Sequence, residues 1–369
     1  MKSRLTIHVI NAGIGESIVI ELPNGAWGVV DCYAPSVKDR ASNATIAFLD
    51  ARSVSALEFV CITHPHDDHY RGLYQLLERF PVRYFWRFGA FSGRDLRQIF
   101  LGYFKKTAAS GINYQAESAD ELAKAFALVY QQLKEGRIEQ VFDLSDVKPV
   151  YPVPIGSDPE FEIISIAPST EAIRSYEEDL AKCFDPNGTI VDWLPRQRHN
   201  DVSVALLIRY GKARVILGGD VESNGWKQAQ TTLRSQDFKA HGVKVSHHGS
   251  TTGYSDDLWA WFSLGGKPVA VVTPFRRFGL PKREALQHIR KHSDLLLCTC
   301  GPAILDDEAS DFQLDPAFDF ATKTLLKSRF RKWLGALSDM TGICSVSFDV
   351  DGSWSHDIAG AGCAIDYPV

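Results

Sequence analysis

The sequence predicts an α+β fold made of two similar mixed β/α halves, and three observations predict it. Short apolar runs alternate with helical segments over residues 1–80 and again over 200–300, as layered sheet-and-helix proteins require. Polar clusters follow directly on apolar strands: Asp31 after Val29-Val30, and Thr63-His64-Pro65-His66-Asp67-Asp68-His69 after 57–62. In the later half, Gly218-Gly219-Asp220 follows Val215-Ile216-Leu217, and His247-His248-Gly249-Ser250 follows 243–246. The chain of 369 residues, 45% of them hydrophobic, is long enough for one elaborated domain or two smaller ones.

In order along the chain, strands are expected at 5–10 and 17–22, joined by the turn Asn11-Ala12-Gly13-Ile14-Gly15-Glu16. Pro23-Asn24-Gly25 is a second turn, and 26–30 a third strand that ends at Asp31. The run 57–62 reads as a buried strand, and a helix over 72–80 follows the histidine-rich loop. Residues 93–140 are more polar and helical, with 120–133 the clearest amphipathic helix. Three prolines mark 149–154 as a connector, 161–166 is a buried strand, and 171–200 is a loop-rich insertion. Strands at 202–210 and 213–217 flank the turn Gly211-Lys212, and a helix over 223–234 leads to a strand at 243–246. A helix–strand unit ending at 272 and a helix over 282–291 before a strand at 295–298 complete the second half. The expected organisation is one domain over 1–306 with insertions at about 90–150 and 170–199. An added helical segment at 307–340 and terminal strands at 341–369 that complete the domain follow it.

Composition narrows the class further. No apolar run approaches the roughly 18 residues that span a bilayer, so no membrane association is expected. Met1-Lys2-Ser3-Arg4-Leu5 lacks the apolar core of a signal peptide, and the seven scattered cysteines include no CxxC. Both readings point to buried free thiols in a reducing cytoplasm. A net charge of −5 argues against a basic coat for tracking duplex nucleic acid and leaves room for a local basic groove.

The polar clusters carry the chemistry. Imidazole and carboxylate are the ligands that borderline and hard divalent cations take from proteins. Two histidines two apart, followed by an Asp-His pair, can serve two ions from one short loop. Asp220, brought to a strand end by two glycines, could bridge two cations or cap a turn. His247 and His248 cannot both be core residues of a strand, because successive side chains face opposite ways. At the start of a helix they could bind a metal or hold an anionic oxygen.

Together these residues resemble the metallo-β-lactamase-fold hydrolases. The nearer likeness is to the hydrolase domain of the DNA-uptake protein ComEC, over roughly 4–80 and 199–300. It rests on Val9-Ile10-Asn11-Ala12-Gly13-Ile14-Gly15-Glu16-Ser17, the 63–72 loop, Asn200-Asp201-Val202-Ser203, Leu217-Gly218-Gly219-Asp220 and Val243-Lys244-Val245-Ser246-His247-His248-Gly249-Ser250. The resemblance implies a four-layer αββα sandwich with helical insertions and two divalent ions, Zn²⁺ first, with Mn²⁺ or Fe²⁺ as alternatives. It implies His64 and His66 on the first ion, Asp68 and His69 on the second, and Asp220 between them. His247 is expected as a further ligand, with Asp68, His247 and His248 as catalytic groups. Asp31 would orient the ligating histidines from behind. Asn200 stands where a lone histidine is usual, with His199 beside it as a substitute, and Leu280 stands where a later histidine is common.

Such a metal pair would lower the pKa of a water from about 15.7 toward 7 for attack on phosphorus or a carbonyl carbon. Arg276, Arg277, Lys282 and Arg283 surround Leu280, Ser250 adjoins the histidine pair, and Arg196 and Arg198 precede Asn200. Lys327, Arg329, Arg331 and Lys332 interleave with Phe330 and Trp333. Guanidinium groups fork onto phosphates and aromatics stack on bases, so the expected activity is a phosphodiesterase or nuclease acting on a nucleotide or single-stranded nucleic acid. Hydrolysis of small esters, lactones or β-lactams is the alternative. A metal-stabilised sensor with little turnover, docking a protein partner through 81–160 and 307–340, is the third reading.

Overall fold

Runs of Val, Ile, Leu and Phe with few internal breakers form the strands, and the polar clusters fall in the loops between them. A computed structural model describes residues 3–11, 14–89, 116–146, 148–151, 161–185, 187, 189–192, 194–299 and 341–365. The first half comprises strands β1 (Leu5–Asn11), β2 (Ser17–Glu21), β3 (Trp27–Val30), β4 (Leu57–Ile62), β5 (Val82–Phe88) and β6 (Gln140–Leu144). Its helices are α1 (Ala44–Asp50), the single turn α2 (Asp67–Tyr70), α3 (Leu73–Arg79) and α4 (Ala116–Lys134). The second half begins with strands β7 (Lys148–Tyr151) and β8 (Phe161–Ala167) and helix α5 (Thr170–Lys182). Strands β9 (Ala205–Tyr210), β10 (Ala213–Leu217), β11 (Gly242–Lys244), β12 (Val269–Val272) and β13 (Leu295–Cys298) follow. Helices α6 (Ser223–Thr232), α7 (Asp256–Phe262) and α8 (Arg283–His292) connect them, and β14 (Gly342–Phe348), β15 (Trp354–Gly360) and β16 (Cys363–Ala364) come last.

Among the described residues these strands form two mixed eight-stranded sheets, ordered β15-β14-β1-β2-β3-β4-β5-β6 and β16-β13-β12-β11-β10-β9-β8-β7. Each half repeats one plan. Three antiparallel strands, β1–β3 or β8–β10, are followed by three parallel ones, β4–β6 or β11–β13. The last strands return to both sheets: β14 pairs antiparallel with β1, and β16 with β13. The sheets face each other across one core, and alternation along each strand divides the side chains. Val215 and Leu217 of β10 join the core shared with β1 and β2, while Ile216 joins Trp226, Trp259 and Leu286 of α6, α7 and α8 on the other face. Helices α1, α3 and α4 contribute Leu49, Leu76 and Phe126 to the core of the first sheet. The result is an α+β sandwich of two sheets flanked by helices.

Several expectations change in detail. Within the stretch 149–154 expected as a connector, 149–151 belong instead to the edge strand β7, where a proline is tolerated because one side of the strand forms no ladder, and 152–154 lie outside the described residues. Within the mixed, loop-rich stretch 171–200, residues up to Lys182 belong to helix α5, started by Ser169, whose hydroxyl accepts from Ala172 N. The strand expected from 202 starts at 205, because 196–202 wind into a 3₁₀ segment. The segment expected at 307–340 lies outside the described residues, as do residues 90–115 of the insertion expected at about 90–150. No described helix is long and apolar enough to cross a membrane.

The sheet beneath the histidine-rich loop is tightly packed. Phe59 stacks on Trp86 with ring centroids 4.0 Å apart, and a Cβ on Gly28 would fall 2.2 Å from the Phe59 ring. Gly28→Ala should therefore destabilise the protein by about 1–3 kcal/mol, read as a lower urea midpoint with an unchanged m-value.

Candidate metal centre

The polar clusters meet because all of them leave the carboxyl ends of central strands, where open α/β sheets generally present their ligand-binding loops. Asp31 follows β3 and the 63–69 loop follows β4; Asp220 follows β10 and the histidine pair follows β11. The two halves thus contribute corresponding loops to one crevice.

Asp31 is fully buried and sits in the left-handed region at φ 57°. Its carboxylate accepts from Thr63 N at 2.8 Å, from Thr63 Oγ1 at 2.7 Å and from His69 Nδ1 at 2.7 Å. Thr63 Oγ1, having given its proton to Asp31, accepts from His64 Nδ1 at 3.0 Å. Both histidines therefore keep a proton on Nδ1 and turn Nε2 into the crevice, where a metal would take its lone pair.

Three groups of possible ligand atoms result among the described residues, each with its members within 4.8 Å of one another; in one of them, Glu16, Asp31 and His69, the histidine Nδ1 already bonds Asp31, and the other two face the crevice. One holds His64, His66 and Asp220; the other holds Asp68, His69, Asp220 and His248. In the first, His64 Nε2 is 2.9 Å from His66 Nδ1 and 3.7 Å from Asp220 Oδ2. In the second, His69 Nε2 lies 3.4 Å from Asp220 Oδ1 and 3.6 Å from Asp68 Oδ2. His248 Nε2 lies 3.1 Å from Asp68 Oδ2 and 3.7 Å from Asp220 Oδ1. Ligands about 2.1 Å from a tetrahedral ion stand about 3.4 Å apart, so both groups have the spacing a divalent ion needs. His69 Nε2 and Asp220 Oδ1 are buried without a well-formed hydrogen bond, an arrangement that is costly unless a cation receives their lone pairs. The donor set fits two divalent ions that share Asp220.

The histidine pair does not open a helix. It lies in a 3₁₀ turn, Ser246–Gly249, where His247 (φ 48°) and His248 (φ 52°) are both left-handed, a conformation that cannot start a right-handed helix. The turn sends the two rings apart. His248 is buried, with Nδ1 donating to the Thr273 carbonyl at 3.0 Å and Nε2 facing Asp68. His247, expected as a ligand, joins neither group among the described residues; its Nδ1 lies 3.2 Å from Glu222 Oε1 and 3.0 Å from Thr252 Oγ1. His247 Nε2 points inward, 4.0 Å from Asp220 Oδ2.

The remaining expected residues line the periphery. Asn200 donates to Glu222 Oε1 at 3.1 Å, while His199 bonds Tyr176 at 2.8 Å and sets its ring edge-on to His66, 5.5 Å away. The Ser250 hydroxyl bonds Thr252 Oγ1 at 3.0 Å and accepts from Thr252 N, closing its own turn. Arg276 and Arg277 ride on the 275–280 loop, whose Phe275 ring packs 5.3 Å from that of His248. Leu280 is buried and pairs with Phe275 through two backbone hydrogen bonds. Arg198 is engaged by Asp179 at 2.8 Å and by Asp201. Lys327, Arg329, Arg331 and Lys332 lie outside the described residues. Thr63, Ser203, Glu222 and Thr273 went unnoticed as site residues. Thr63 and Ser203 lie inside the quoted motifs and bond Asp31, His64 and Asp220, whereas Glu222 and Thr273 reach the histidine pair from segments far along the chain.

Charge is unevenly shared. Burial opposes a proton on His69, but Asp220, Asp31 and Asp68 outweigh it and hold its pKa well above the ordinary histidine range. Burial, with His69 and His66 nearby, pushes His64 well below that range. Burial opposes the Asp220 charge, yet His69, His248 and His247 keep its pKa well below the usual carboxylate value. His247 is raised: burial disfavours its charge, and Asp220 and Glu222 more than compensate.

Residues 10–87 match the model of the Metallo-beta-lactamase superfamily. Over those residues the chain is similar to that superfamily, and its two mixed sheets flanked by helices have the metallo-β-lactamase fold. No curated protein matches it. Among solved structures it is similar to the metallo-beta-lactamase fold protein YhfI from Bacillus subtilis, at 11% identity and a TM-score of 0.37, over 78% of this chain and 94% of that one. A diphosphatase from the PhnP family is similar at 10% identity and a TM-score of 0.34, over 72% of this chain and 85% of that one. Zn(2+)-bound PqqB from Methylobacterium extorquens is similar at 12% identity and a TM-score of 0.29, over 64% and 71%.

The raised His69 pKa has a measurable sign. A histidine whose folded pKa exceeds its unfolded value contributes stability below the unfolded value, about 6.5, and loses it as pH rises through the folded one. A metal must displace that proton, so divalent-ion binding at pH 7 should release about one proton at the His69 group. Calorimetry in two buffers of different ionisation enthalpy measures it, with no difference between buffers as the contrary result.

Proposed function

We propose that this protein is a metal-dependent hydrolase of phosphodiesters. The observation that carries the reading is the pair of ligand groups joined at Asp220, His64 and His66 on one side and Asp68, His69 and His248 on the other. Divalent ions held there would supply Lewis acidity, acidifying a water and offsetting charge that develops on a substrate oxygen. His/Asp ligation without cysteine suits Zn²⁺, and also Mn²⁺ or Fe²⁺.

The chain's own residues take distinct parts. Asp31 keeps His69 in the tautomer that points Nε2 inward, and Thr63 does the same for His64. Thr63 N and Oγ1 also brace Asp31, and Asp220 N donates to Ser203 Oγ at 2.9 Å. His247, whose pKa Asp220 and Glu222 raise against burial, stands partly exposed at the mouth with Nε2 inward. From there it can hydrogen-bond a phosphoryl oxygen or hand a proton to the leaving group. Arg276, Arg277, Lys282 and Arg283 sit on the adjacent loop and the start of α8, and this cationic rim favours an anionic substrate over a neutral ester or lactam. The motif likeness to the ComEC hydrolase domain supports a nucleotide or single-stranded nucleic acid as that substrate.

The test is elemental analysis of the purified protein coupled to a cleavage screen of single-stranded, double-stranded and cyclic nucleotides with Mn²⁺ and Zn²⁺. A chromogenic ester and a β-lactam serve as the competing arm, and turnover confined to that arm overturns the phosphodiester reading. Asp220→Ala and His66→Ala should abolish turnover with the circular dichroism spectrum retained. His247→Ala should lower kcat by about 10²–10⁴-fold with metal content unchanged; full activity in that variant would remove His247 from the chemistry.

A further inference from the structure

Behind the second ligand group lies a buried ion pair that joins the two sheets. Glu16, in the turn before β2, is 1% exposed, and Lys244, the last residue of β11, is 2% exposed. Lys244 Nζ meets Glu16 Oε2 in the space between the sheets. Stability alone does not explain such a pair, because hydrophobic residues of similar volume commonly serve as well or better. Its neighbours suggest another reason. Thr273 Oγ1 donates to Glu16 Oε2 at 2.7 Å, and the same hydroxyl oxygen lies 3.1 Å from His248 Nδ1.

The direction of these bonds follows from who can donate. The Glu16 carboxylate can only accept, so it takes the Thr273 proton and leaves that oxygen as an acceptor. His248 Nδ1 must then supply a hydrogen, to Thr273 Oγ1 and to the Thr273 carbonyl at 3.0 Å. That leaves the Nε2 lone pair facing Asp68 and Asp220. The hold matters because His247 and His248, two successive non-glycine residues, are both at positive φ, and such a pair persists only where its surroundings over-determine it. Lys244 provides the counter-charge that a carboxylate buried here requires.

We propose that Lys244, Glu16 and Thr273 form a positioning relay that fixes the tautomer and aim of His248. The relay thereby tunes the Asp68–His69–Asp220–His248 half-site independently of the His64–His66 half-site. This rests on reading those residues as metal ligands. None of the three touches substrate, and their effect runs through His248.

The experiment is a two-site Zn²⁺ titration against a competing chelator, with Co²⁺ absorption as a second readout. Thr273→Val, nearly isosteric and without the hydroxyl, should weaken one ion by about 10–100-fold and leave the other at its wild-type affinity. Thr273→Ser should restore the weakened site. In a His66→Ala background, where the remaining ion belongs to the His248 group, the Thr273→Val loss should appear directly. The paired variant Glu16→Gln with Lys244→Met removes both charges together, leaves no buried ion without its partner, and should show the same selective loss. Unchanged affinity at both sites in Thr273→Val, or equal weakening of both ions, overturns the relay. A wild-type protein that binds no divalent ion overturns instead the metal reading beneath it.

Discussion

The carboxylate of Asp31 is the point on which the site's arrangement turns. It is wholly buried, yet three donors satisfy it, two from Thr63 and one from His69. These bonds clamp the end of β3 to the loop after β4, so a feature of sheet pairing becomes a feature of ligand orientation. Burial raises the Asp31 pKa, and His69 and the Thr63 amide pull it back down. A carboxylate in that balance holds two histidines in one tautomer without itself reaching the crevice. An Asn in its place would have the shape but not the charge, and could not accept from all three donors.

The second half repeats the device with different residues. Asp220 occupies after β10 the place that Asp31 occupies after β3, but its carboxylate faces the crevice while Ser203 braces its amide. The left-handed turn after β11 answers the histidine-rich loop after β4. The two halves share a plan of strands and divide the labour: one carboxylate supports and the other is available to ligate. Asp220 gathers four histidines around itself, and three of them, His69, His248 and His247, keep its charge against burial.

Much of this arrangement is legible in the sequence, for a physical reason. Residues 64–69 are consecutive, so chain connectivity alone brings them together, and the step from apolar run to polar cluster marks the strand ends. The glycines before Asp220 announce a sharp bend, borne out by φ 50° at Gly219. What separates His247 from His248 is different. The two residues are identical and adjacent, and only a pair of left-handed dihedrals decides which ring is buried. Glu222, Thr273 and Tyr176 act through contacts from segments far along the chain, which no local pattern encodes. The proline-marked stretch at 149–151 misleads for the opposite reason, since a proline at a sheet edge looks locally like a proline in a loop.

The pairing of β1 with β14 has a consequence for how the molecule is made. It joins Leu5–Asn11 to Gly342–Phe348, contacts separated by more than three hundred positions. Closing so long a span is slow compared with forming the helix–strand units inside each half. Until it closes, β1 carries an open edge able to pair with another chain. The turn that leaves β1 also brings Glu16 toward the crevice, where its amide bonds the Asp68 carbonyl. Strand β1 thus ties the far end of the chain, through Glu16, to the loop that carries Asp68.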